Sequence, residues 1–152
     1  MADSIREKII QRVMMALAAI TVANGYNTGC GAHVHRGKRG FSDASDLPAV
    51  VVFPQVETSS KTQYGTDAHV MPVEINAALI YGGTSPSVLG EQALADIIKA
   101  MGADPTLNGL ASSVTYAGGG IDEYPDEATQ AVVVVASFEV AYETRRGDPY
   151  NQ

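Results

Sequence analysis

The chain is predicted to fold as an α+β domain: a mostly antiparallel β-sheet with two α-helices packed on one face, and extended polar loops or arms. Three observations predict it. Residues 4–24 and 86–101 repeat apolar side chains every three or four positions, the period of a helix that buries one stripe. Other segments alternate apolar with polar residues or run β-branched, as strands do. The order is helix, strand, strand, strand, helix, strand, strand, with hairpin-length connections, and this suits antiparallel pairing beneath a helical layer.

In the first helix, Ser4 and Glu7 have the spacing of a capping box, with hydroxyl and carboxylate satisfying early backbone N–H groups. Ile5, Ile9, Val13, Leu17 and Ile20 form its stripe, Arg6, Lys8 and Arg12 its solvated face, and Asn24-Gly25 its end. A short strand follows at 32–36, then the loop "GKRGFSDASD". "LPAVVVFP" (47–54) reads as a buried strand, and the polar stretch 57–67 as a long hairpin loop or arm.

Residues 68–81 form a long strand with His69, Met71, Val73, Ile75, Ala77, Leu79 and Tyr81 on one side, and Glu74 and Asn76 on the other. Pro72, lacking an N–H, predicts an edge or bulge there. Ser85 and Pro86 open the second helix, striped by Leu94, Ile97, Ile98 and Met101. A strand near 110–117, a turn at "AGGGIDEYPDE" and a last strand at 130–144 complete the order. One domain spans 1–152, with 145–152 expected as a flexible tail.

At 152 residues a single domain buries roughly two thirds of the surface its unfolded chain exposes, so neither disulfide nor metal is needed to fold it. Ten basic against seventeen acidic residues leave a net charge of -7, which argues against a broad phosphate-neutralising surface. The lone Cys30 forms no internal disulfide and fits a reducing compartment. Asp3, Glu7 and Arg12 interrupt the first apolar run, so it is read neither as a signal peptide nor as a membrane span.

"CGAHVHRGKRG" (30–40) is the richest stretch chemically. His33 and His35 project to one face of a strand, and Cys30 precedes them. A structural zinc usually takes four protein ligands, and no Cys pair or second His-x-His is present; His69 would have to come from another strand. Ordinary strand histidines are the simpler reading. No Walker pattern surrounds Lys38, the carboxylates of "IDEYPDE" lack the EF-hand order, and no serine sits in a nucleophile elbow. "RGD" at 146–148 is a match that chance produces often. The chain is therefore read as a non-enzyme with no catalytic residue, metal or cofactor; a small metal-dependent hydrolase built on Cys30, His33, His35 and His69 is the remote alternative.

The ordered set of an N-terminal amphipathic helix with "IIQRVMMALAAI", a strand "DLPAVVVFPQVE" entering a polar arm, "HVMPVEINAALIY", the helix "LGEQALADIIKAM" with "DPTLNGLASSVTYAGGG", and a final "VVVVASFEVAYETRRGDPY" resembles the tail terminator family of long-tailed bacteriophages. The resemblance covers nearly the whole chain and rests on positions and residue types. It implies a virion protein of the tail or neck, assembled in the host cytoplasm as a homohexameric ring. Such a ring caps the tail tube, stops its polymerisation and docks the head-side connector. Its partners would be further copies, the tail tube protein and the connector or neck protein, with no membrane. DNA would pass through the lumen without specific binding, helped by the acidic balance of six copies. Candidate contact residues are Arg36, Lys38, Arg39 and Phe41 in the first arm (36–46), and Lys61 and Tyr64 in the second (57–67). A tail-completion or head-completion protein of the neck is the alternative.

Overall fold

The computed structural model describes residues 2–38, 46–125 and 130–152. Helix α1 (Ile5–Ala18) is followed by strands β1 (Val34–Arg36), β2 (Ala49–Pro54), β3 (Thr58–Lys61) and β4 (Thr66–Ile80), helix α2 (Pro86–Gly102), and strands β5 (Ser113–Glu123) and β6 (Ala131–Arg145). The strands form one six-stranded sheet in the order β1-β2-β4-β6-β5, with β3 also paired to β4. Among the described residues, only β1 and β2 run parallel; the other pairs are antiparallel. The expected α+β class and its helical layer are what the chain adopts.

Both helices lie on one sheet face. Ile9, Val13 and Leu17 of α1 and Ala93, Ile97 and Met101 of α2 share a core with Met71, Val73 and Ile75 of β4 and Val134, Phe138 and Val140 of β6. Period 2 along β4 and β6 puts these strand residues on the helical side. At Gly90, an added Cβ would stand 2.6 Å from Ile121 Cδ1, so α2 owes its close seat on β5 to the missing side chain.

Several local expectations are corrected. Helix α1 ends at Ala18, where the β-branched run Ile20-Thr21-Val22 begins. Gly25, with φ 89°, instead closes a separate 3-10 turn at Val22–Asn24. Ser4 does accept from the Glu7 N–H at 3.1 Å, but the Glu7 carboxylate turns away from the cap to Arg36, so half of the capping box is present. Arg6 and Arg12 are not free cations: they pair with Glu57 at 2.5 Å and Asp104 at 3.3 Å.

The glycines expected in a turn, Gly118–Gly120, lie inside β5, which runs on to Glu123 with irregular register at two points. Gly119 sits so close to the β6 backbone that a Cβ there would be only 3.0 Å from the Ala136 Cα. The expected flexible tail is a fastened turn. The Pro149 carbonyl accepts from the Ile5 N–H at 2.8 Å, satisfying one orphan donor of α1, and the Gln152 amide bonds the carbonyls of Leu110 and Glu143. Among the described residues, no helix is long and apolar enough to cross a membrane.

Candidate functional site

The second arm is a β-hairpin. Its outgoing limb is β3, paired with the start of β4 from Thr58↔Val70 to Lys61↔Asp67. Strand β2 ends its own pairing at Pro54↔Val73. Three residues, 55–57, therefore face two, 71 and 72, and the extra residue is a bulge between β2 and β3. Pro72 occupies this gap. Its carbonyl accepts from the Gln55 N–H at 2.8 Å, so its missing donor faces the one place where no ladder bond is lost.

The bulge turns Glu57 inward, towards α1 and β6. Its carboxylate accepts from Arg6 Nη1 at 2.5 Å and from the Tyr142 hydroxyl at 2.7 Å, and it lies 3.2 Å from His69 Nδ1. Burial opposes ionisation of Glu57, but the bonds from Tyr142 and Arg6, with the charges of Arg6 and His69, outweigh it and hold its pKa below the ordinary value. The Tyr142 pKa is raised, first by burial and then by the carboxylate its hydroxyl faces. His69 completes the cluster. Its Nδ1 is 2.6 Å from Ser59 Oγ, its Nε2 is 2.9 Å from Thr144 Oγ1, and its ring lies 4.7 Å from that of Tyr142.

A cavity of about 330 Å³ opens beside these residues, lined also by Ser4, Asp67 and Pro149. The line Thr144, His69, Glu57 places a hydroxyl, an imidazole and a carboxylate in sequence. Thr144 is only 4% exposed, however, and the imidazole is held between two hydroxyls, Ser59 on Nδ1 and Thr144 on Nε2. What the geometry provides is a fastening: the hairpin root is tied by charge-assisted and neutral bonds to α1, β4 and β6.

The candidate contact residues divide. Lys61 ends β3 and is exposed, and Tyr64, in the turn, is 81% exposed. Arg36 is no part of a projecting arm. It ends β1 and donates to both Glu7 oxygens, at 2.5 and 2.9 Å, which lowers the Glu7 pKa and raises its own. Lys38 is exposed just beyond β1. Arg39 and Phe41 lie outside the described residues.

Cys30 and the histidines are dispersed. Cys30 is fully buried in the core, and burial pushes its thiol up to about 11. Val34 packs towards the helices, so His33 and His35 project from the opposite sheet face to His69. His33 Nδ1 lies 3.2 Å from the Pro48 carbonyl. Among the described residues, no group of three or more His, Cys, Asp or Glu side chains is placed to hold a metal ion.

Sequence reasoning missed Asp96. It is 2% exposed, on a helix otherwise striped with apolar residues, and accepts from the Asn27 N–H, the Thr28 N–H and the Thr28 hydroxyl at 3.1, 2.7 and 2.7 Å. It pins the loop after α1 to α2. Its place between Ala93 and Ile97 on the helical stripe is the signal that shows it faces inward. No protein-family model matches the chain, and none of the curated protein sequences matches it.

Proposed function

We propose that this chain is a structural virion protein that forms a ring, caps the tail tube of a long-tailed bacteriophage, ends tube polymerisation and presents the head-side connector with a docking face. The observation that carries the reading is the β3–β4 hairpin. A polar cluster holds its root rigidly, while its tip offers exposed Lys61 and Tyr64. A hairpin tied so firmly at one end and so bare at the other is suited to contact with another molecule. The net charge of -7 suits a lumen through which DNA slides without adhering.

The test is a phage in which the gene is deleted and then complemented. Overlong tails without the gene support the terminator; normal-length tails that fail to join heads assign the chain to a neighbouring neck ring. Complementation with a variant in which exposed Lys61 and Tyr64 are both replaced with alanine should yield a folded protein, since β3 and β6 still pair with β4, but uncapped tails. Normal virions from that variant would sink the hairpin's role.

A further inference from the structure

We propose that the two ends of the sheet are the two halves of a head-to-tail contact between copies of this chain. The hairpin tip of one copy seats on the end of the next copy where β4 and β5 finish. The inference rests on the ring reading only in taking a second copy as the partner.

The receiving end is apolar. Ile80, Tyr81, Val88 and Tyr124 are there between 36% and 59% exposed. They are neighbours by topology. The Tyr81 N–H donates to the Gln130 carbonyl just before β6, Glu123 pairs with Val133 immediately ahead of Tyr124, and Val88 lies in the first turn of α2, whose Gly90 rests on Ile121. Large apolar groups exposed together and rimmed by charge mark a protein-binding surface. The rim is acidic: Glu91, Asp122 and Glu123 are all exposed, and residues 80–91 and 121–125 contain no Lys or Arg.

The opposite end is complementary. Around the exposed Tyr64 stand Lys61, Arg145 and Arg146; Arg145 pairs with Thr66 in the ladder, and the Arg146 N–H donates to the Gly65 carbonyl. Arg146 lies 4.0 Å from Asp67 and Arg145 faces Asp148 across an isolated bridge, but among the described residues no carboxylate forms an ion pair with Lys61. An aromatic knob with cations therefore matches an aromatic socket with carboxylates. Strand β4, 15 residues long and so roughly 50 Å, separates them, and no copy reaches its own socket. A contact of this kind joins unlike surfaces and, when its rotation closes, makes a ring.

The test uses the full chain in sedimentation, with circular dichroism to verify folding. A knob variant (K61S with Y64S) and a socket variant (E123S with Y124S) should each lose self-association. Mixed in equal amounts, they should give a 1:1 dimer and nothing larger, because each retains one intact half. Single Tyr64→Ser or Tyr124→Ser should weaken association roughly tenfold or more, the scale of an aromatic anchor. Folded variants that assemble like the wild type would overturn the contact and leave the ring reading standing. A wild-type chain monomeric at every concentration would overturn it too, and tail length in the deletion phage would then judge the ring separately.

Discussion

Two regions place histidine on extended backbone, with opposite results. His33 and His35 stand in a stretch crowded with Cys30, Arg36 and Lys38, yet that stretch sends its members to different places: thiol into the core, imidazoles to the sheet face away from the helices, guanidinium to Glu7. His69 has unremarked neighbours in sequence, yet it meets Glu57, Ser59, Tyr142 and Thr144. Neighbours along a strand are dealt to opposite faces, so crowding in sequence disperses function. Convergence is produced by register and by a bulge, between residues as far apart as Glu57 and Tyr142.

The largest effect expected is at Gly31, in the crowded stretch. A Cβ there would stand 2.8 Å from the Ile20 carbonyl oxygen and closer still to that of Leu17. Both obstacles are backbone, so Gly31→Ala should cost about 3 kcal/mol or more. Urea denaturation measures it, and a cost under about 1 kcal/mol would show that this loop separates from α1 with ease. The demand of this stretch is thus for packing space, not for reactive groups.

Next comes Glu57. Glu57→Ala leaves Arg6 and the Tyr142 hydroxyl without their acceptor. A fully buried pair so broken loses about 3–5 kcal/mol, but a carboxylate 24% exposed lets water in, and about 2 kcal/mol is expected. Because the folded pKa is depressed, the ionised carboxylate's contribution is complete above the ordinary value of 4.5 and is lost as pH falls through the lower folded-state value. Denaturation midpoints measured against pH should show a shallower acid limb in Glu57→Gln than in the wild type. Parallel limbs would mean that the cluster holds no stability in its charge.

Tyr142→Phe should have a smaller effect, about 1 kcal/mol, since the ring still fills its place beside His69 and one hydrogen bond goes. A loss equal to that of Glu57→Ala would show that the hydroxyl, and not Arg6, is the main partner of the carboxylate.

Much of this fold was legible because apolar periodicity is local. The stripe Ile5, Ile9, Val13, Leu17 and the alternation Met71, Val73, Ile75 each specify a face without knowledge of the partner. What was not legible depends on pairing. Nothing in "ETSSK" says that Thr58–Lys61 is a strand, because all four residues are exposed and the strand exists only by its bonds to β4. Gly118–Gly120 look like a turn until β6 supplies a ladder for them. The Glu57 cluster needed the bulge, which is a mismatch between two registers and appears in neither strand alone. Pro72 was its one signal in the sequence.

The smallest effect should be at His33 and His35. His33 is exposed, with a ring nitrogen beside the Pro48 carbonyl; His35 is half-buried on the sheet face away from the helices. Replacing both with alanine should change stability by no more than about 0.5 kcal/mol each, the range of surface positions without special partners. Should added zinc raise the denaturation midpoint of the wild type and not that of the double variant, the two imidazoles would share an ion after all, and the contrast with His69 would fail. Equal midpoints with and without zinc would leave the contrast as drawn: a His-x-His on a strand supplies at most two ligands, and among the described residues no group of three ligating side chains is placed to hold an ion.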